Sequence, residues 1–148
     1  MKAAGRVFWK EIPPRPLPKN SIMRKKACTS TRDRGRLAEQ IAADHLEAHG
    51  YRIVERNFAC KLGEIDIIAQ DSGELVFVEV RSRASASAIN PVFSVDRHKQ
   101  KRIIRAAEVY LSKRHTQDPP SRFDVAIVTL GPPTTVEVLQ DAFNVDFF

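Results

Sequence analysis

Hydrophobic and polar positions alternate most clearly over residues 63–83, GEIDIIAQDSGELVFVEVRSR. Val, Ile and Phe fill two arms, and Asp71-Ser72-Gly73 supplies turn chemistry between them, so the stretch predicts a β-hairpin. Glu64, Asp66 and Ile68 share one face of the first arm. Leu75, Phe77, Glu79 and Arg81 share one face of the second, and Val76, Val78 and Val80 share the other. With Ser72 and Gly73 as a two-residue loop, Asp66 falls directly opposite Glu79, their Cβ atoms about 5 Å apart. Facing carboxylates repel, and a bound cation or a shared proton would offset that cost. The competing arrangement differs by one residue in the loop. It puts Asp66 and Glu79 on opposite faces as ordinary solvated strand charges.

The elements on either side follow from a change of period. Residues 34–49 repeat at helical spacing, with Thr31 or Asp33 as the N-cap and Gly50 as the stop. Leu37, Ala38, Ile41, Ala42, Leu46 and Ala48 fill one half of the wheel, and Gln40, Asp44 and Glu47 lie on the other. Glu39 sits at the border. There it is either a solvated rim residue or a carboxylate reaching over the edge of a sheet. His45 and His49 read as partly buried histidines without a metal. Residues 51–58 form a strand with Tyr51, Ile53 and Val54 as inward candidates. After Arg83 the small, polar ASASAIN predicts a loop beside a binding site, ended by Pro91. A second helix spans about 95–114, with Ser94 as N-cap and Val95, Ile103, Ala106, Ala107, Tyr110 and Leu111 as its packing face. RFDVAIVTL (122–130) is a buried strand carrying Asp124 near its start. Residues 135–139 form an edge strand, and DAFNVDFF closes the chain, with Phe143, Phe147 and Phe148 as packing candidates. The order is α-β-β-β-α-β-β.

Composition changes this picture only in places. The chain has 148 residues, 43% hydrophobic and 28% charged, which is ordinary for one globular domain. It has no apolar run long enough to span a bilayer and no signal-peptide core, so no membrane partner and a cytoplasmic location are expected. Cys28 and Cys60 read as free thiols. The net charge of +6 is unevenly distributed. Residues 1–36 carry eleven Lys/Arg against Glu11 and Asp33, whereas residues 37–148 are net acidic. The high pI therefore belongs to the N-terminal segment and says little about what the body binds. Residues 1–31, rich in Pro, Lys and Arg, are expected to form a disordered extension to a domain over 32–148. Met23 offers an alternative translation start. One local patch is notable: Arg97, Lys99, Lys101, Arg102 and Arg105 crowd the first turns of the second helix against Asp96. Positive charge there opposes the helix dipole. It is either a solvated basic face or a phosphate-contact surface.

Several blocks together resemble the YraN family of bacterial proteins, whose restriction-endonuclease-like core is related to Holliday-junction resolvases. They are GRLAEQIAADHL, GYRIVERNF, GEIDIIA, VFVEVRSR, SVDRHKQKRI, RFDVAIV and DAFN, in family order over about residues 34–144. The resemblance implies an α/β fold with a mixed central sheet flanked by helices, and a PD-(D/E)XK-type site binding Mg²⁺ or Mn²⁺. On that pattern Asp66 and Glu79 are the metal carboxylates, the Val80 carbonyl completes the metal shell, and Glu39 is an additional acid. Arg81 stands where the nuclease pattern has Lys, although Arg also occurs there in some YraN-like sequences. Arg keeps its proton at any relevant pH, so it can hold a phosphate but cannot act as a general base. Lys99 is the candidate to take the Lys role, and Arg97, Lys101, Arg102 and Arg105 the candidates to hold the nucleic-acid backbone. The implied function is a metal-dependent endonuclease on nucleic acid, DNA first, at branched structures, acting as a homodimer. The alternatives are a non-catalytic nucleic-acid-binding module that kept the fold, and a protein-interaction domain.

Overall fold

The computed structural model describes residues 30–84, 95–114 and 119–145. The expectations for the N-terminal extension, Cys28, Met23, most of the ASASAIN loop, Pro91, Ser94, Phe147 and Phe148 lie outside them. The elements are α1 (Thr31–Ala48), β1 (Arg52–Cys60), β2 (Gly63–Asp71), β3 (Glu74–Arg83), α2 (Arg97–Arg114), β4 (Ser121–Thr129) and β5 (Thr135–Phe143). The five strands form one sheet in sequence order. All neighbours are antiparallel except β3 and β4, which are parallel and joined through α2. This is the expected α/β architecture: a mixed sheet between two helices.

The hairpin has the predicted register. Asp71 pairs with Glu74 and the ladder runs unbroken to Ile67 with Val78. Ser72 (φ 50°) and Gly73 (φ 88°) form the loop. Two successive positive φ values give a turn that matches strand twist, which Gly accepts readily and Ser at a cost. The Ser72 hydroxyl bonds the Asp71 carboxylate.

Each sheet face buries one helix. Ala38, Ala42, Ala43 and Leu46 of α1 pack on Tyr51, Ile67, Ala69, Val76, Val78, Ala126 and Val128. Three alanines let the helix lie close to the sheet. The other face packs Ile103, Ala106, Ala107 and Tyr110 of α2 on Ile68, Phe77, Phe123 and Ile127. Phe143 stacks on Phe123 at 5.0 Å between ring centroids.

Four local expectations are corrected. The α1 cap is Ser30, whose hydroxyl accepts from the Asp33 N–H, where Thr31 or Asp33 was expected, so the helix begins three residues before the expected Arg34. Leu37 lies outside the buried arc and is 38% exposed. Val54 turns outward where the β1–β2 register shifts between Ile53 and Glu55. The strand expected over 135–139 continues to Phe143.

Candidate functional site

Strict alternation fails once in β2, and that break positions the site. Ile65 and Ile68 join the α2-side core, while Ile67 and Ala69 join the α1 side, so the strand changes face across Asp66. Asn57 of β1 lies opposite Asp66, between the pairs Arg56–Ile67 and Phe58–Ile65, and has φ 54°. Asn adopts this left-handed region more readily than other non-Gly residues. Just here β2 stops pairing with β3. The Asp66 carboxylate instead accepts the Val80 N–H at 2.7 Å.

Glu79 is next to it and only 3% exposed. One of its oxygens, Oε1, is 3.5 Å from Lys99 Nζ and 3.8 Å from an Arg81 guanidinium nitrogen. The other, Oε2, is buried and meets no hydrogen-bond donor; its neighbour is the Asp66 carboxyl, with which it can bond only when the two share a proton. Burial and then the Asp66 charge push Glu79 up to about 7, against the pull of Lys99. Burial also raises Asp66, against the Val80 N–H and Lys99. Lys99 additionally reaches Glu64 Oε1 at 3.5 Å. Asp96 makes that reach possible. It caps α2, its carboxylate accepting the Lys99 N–H at 2.8 Å, so the cap is Asp96 where Ser94 was expected. On the sheet's other side Glu39 is half-buried and raised by burial and by Asp66, with Arg56 and a hydrogen bond from Asn57 opposing. Gly63 fixes the distance between hairpin and helix. A Cβ there would meet the Arg102 carbonyl oxygen.

The structure therefore brings Asp66, Glu79, Val80, Arg81, Lys99 and Glu39 together. Arg97, Lys101 and Arg105 recur every four residues as an exposed row on α2. At about 100° per residue that row faces away from the Lys99 side chain. Arg102 is also exposed. Sequence reasoning missed Glu64, Asn57 and Arg56. Glu64 had a signal, two residues before Asp66 on the same predicted face. Asn57 had none beyond the tolerance of Asn for positive φ. Asp124 belongs to another cluster: it is buried with Arg122 and lies beside Val78, on the sheet face opposite Glu79.

The site passes a chemical test for a hard divalent cation. Two adjacent carboxylates with an unpartnered buried oxygen suit an oxygen-seeking ion, and Mg²⁺ commonly rests on one or two carboxylates plus water and phosphate oxygens. Among the described residues no group of three or more His, Cys, Asp or Glu could hold a metal. A metal here would rest on Asp66 and Glu79, completed by backbone or non-protein oxygens.

The charge conflict has a consequence for stability. An acid whose pKa is raised on folding binds more protons in the folded state, so its stabilising contribution is complete below the unfolded value and is lost as pH rises through the folded one. For Glu79 that window runs from about 4.5 to about 7, and a shift of this size corresponds to about 3 kcal/mol. In EDTA the wild-type melting temperature is expected to fall between pH 5 and pH 8 more steeply than that of Glu79→Gln. Parallel profiles for the two proteins would contradict the assignment.

A mixed sheet between two helices, with Asp66 at a strand break and Glu79-Val80-Arg81 on the next strand, defines a restriction-endonuclease-like α/β protein. Residues 38–128 match the uncharacterised protein family UPF0102. The chain belongs to that family, the YraN family of the sequence resemblance. Similar proteins include UPF0102 proteins from Hahella chejuensis (46% identity over 76% of this chain and 90% of the relative), Symbiobacterium thermophilum (45%, over 74% and 95%) and Syntrophus aciditrophicus (44%, over 76% and 90%). Their names state no activity. No helix among the described residues is long and apolar enough to cross a membrane.

Proposed function

We propose that this protein is a divalent-metal-dependent nuclease acting on phosphodiesters of nucleic acid, with branched DNA as its leading substrate. The observation that carries the reading is the buried, unpartnered Glu79 Oε2 beside Asp66, with a lysine ammonium at the other Glu79 oxygen. A purely structural site would more economically hold a neutral pair. Asp66 and Glu79 would hold Mg²⁺ or Mn²⁺, with the Val80 carbonyl as backbone donor. The ion would supply Lewis acidity and a water of lowered pKa.

The chain's own residues divide the remaining work. Lys99 places a compact ammonium on a flexible stem beside Glu79, where Arg81 offers a planar guanidinium. Arg81 and Lys99 together offset charge developing on a phosphate at the pair. Glu39, raised and half-buried, orients water from the α1 side. Arg102 contacts the backbone near the carboxylates, and the Arg97–Lys101–Arg105 row, which faces away from Lys99, contacts only flanking nucleic acid that wraps α2, so affinity falls as salt rises.

The reading is tested by incubating labelled single-stranded, duplex, flapped and four-way-junction DNA with Mg²⁺, Mn²⁺ or EDTA. Metal-dependent cutting supports it. Binding without cutting on every substrate favours the non-catalytic module. Lys99→Ala is expected to lower cleavage roughly a hundredfold or more, the scale of losing one preorganised charge-stabilising group, and Arg81→Lys to raise it. Unchanged cleavage by Lys99→Ala would remove Lys99 from the mechanism.

A further inference from the structure

The first turns of α1 carry three arginines, one of which, Arg34, lines a cavity. Arg32, Arg34 and Arg36 are all exposed. Between α1 and the carboxyl end of β3 lies a cleft of about 380 Å³. Thr31, Arg34 and Leu37 line it from α1, Ser82 and Ala84 from the end of β3, and Leu130 from the residue after β4. Its chemistry is divided. Arg34 makes no ion pair with any described residue. Leu37, Ala84 and Leu130 form an aliphatic wall, and Leu37 is one of the few large apolar side chains left substantially open. Arg83, also at the cleft, is fastened through its Nε–H to Thr129 Oγ1 at 2.9 Å.

The place matters as much as the lining. Open α/β sheets take ligands at the carboxyl ends of their parallel strands, and β3 and β4 both end here. Ser82 lies three residues beyond Glu79, about 10 Å at ~3.3 Å per residue. Beyond Val78 the ladder records no β2 partner for β3, so nothing in the sheet separates the carboxylates from this end of the strand. The cleft opens on the α1 side and Lys99 approaches from the α2 side. A chain bound to both would cross the end of the sheet.

The volume is near the lower limit for ligand clefts, ~300–1,000 Å³, which suits a single nucleotide. Duplex DNA presents phosphates and groove edges and would leave the aliphatic wall unused. An unstacked base has a face for that wall to cover, while its phosphate meets Arg34. We propose that this cleft is a subsite for one unpaired nucleotide of the strand held at Asp66 and Glu79, with Arg34 on its phosphate and Leu37 and Leu130 against its base. The proposal rests on the nuclease reading and deepens it: the substrate has a single-stranded segment next to the scissile bond.

The test is fluorescence anisotropy in EDTA, with single-stranded DNA and flush-ended duplex DNA of equal length as probes and full-length protein. Arg34→Ala and Leu37→Asp change exposed positions, and thermal melts confirm folding. Each is expected to weaken single-strand binding about five- to twentyfold and duplex binding less than twofold. The single-strand salt slope for Arg34→Ala should fall by roughly 0.7, as for one lost phosphate contact. Equal weakening on both probes, or none on the single strand, overturns the subsite while wild-type binding leaves the nuclease reading standing. Failure of the wild type to bind either probe at low salt overturns both.

Discussion

Asp66→Asn is expected to lower metal-dependent cleavage by about a thousandfold or more, which is about 4 kcal/mol of transition-state stabilisation. The variant is chosen because Asp66 has two roles that can be separated. Its carboxylate accepts the Val80 N–H, which ties β2 to β3 where their ladder ends, and the Asn carbonyl can keep that bond. The lost negative charge is the part that would attract a cation under the proposed function. It is also the part that repels Glu79, so the metal-free variant should melt no lower than wild type. Added Mg²⁺ should stabilise wild type by mass action and leave the variant nearly unchanged. Cleavage at the wild-type rate by Asp66→Asn would end the metal-carboxylate mechanism. It would leave the fold assignment untouched, because function lives in the site.

Arg122→Ala should cost about 3–5 kcal/mol of folding stability, the range for breaking a buried charge pair by removing one partner. Arg122 is the centre of the molecule's other charged cluster. Its guanidinium donates to Asp71 at 2.7 Å, Glu74 at 2.6 Å, Asp124 at 3.1 Å and the Tyr51 hydroxyl at 3.2 Å. Burial opposes its charge, yet the three carboxylates hold its pKa above the normal arginine value. Asp124 is 0% exposed and also accepts the Asp141 N–H at 2.9 Å, which secures the left-handed residue (φ 50°) in β5. The arginine therefore connects the hairpin turn, the start of β4 and the last strand. Without it a fully buried carboxylate loses its main counter-charge. Chemical denaturation measures the effect, and a loss below about 1 kcal/mol, the level of a surface pair, would show that water replaces the guanidinium. Asp124 sits beside Val78 in the β3–β4 ladder, so its carboxylate is on the α1 face and Glu79, the next residue, points to the other; a partly destabilised Arg122 variant should therefore keep its cleavage rate below its melting temperature.

The two clusters show how far the sequence could be read. The hairpin register followed from a period of two and a two-residue turn, and the structure keeps it as far as Ile67 with Val78. Both signals are local, and tertiary contacts override them only at Asp66, where the alternation fails and the ladder ends before Glu79. The α2 cap illustrates the limit. Ser94 and Asp96 are both good caps, and Asp96 takes the Lys99 N–H. Leu37 illustrates another. A helical wheel gives the width of the apolar face but not where the sheet beneath the helix ends. Asp124 and Arg122 were visible as letters in a buried strand, but their partners Tyr51, Asp71, Glu74 and Asp141 come from four separate segments.

Periodicity, turn chemistry and neighbouring blocks were enough for the elements, for the hairpin register as far as Ile67 with Val78 and for the family resemblance. The rest came from tertiary contacts. The tertiary structure put Lys99 on Glu79 across the β3–α2 crossover, Glu39 over the sheet edge at Asn57, Arg34 of α1 at a cleft beside the end of β3, and Arg122 among its acids. Each of these depends on how far one element's end projects past another. That distance is set by close packing, as at Gly63 against the Arg102 carbonyl, and leaves no periodic trace in the chain.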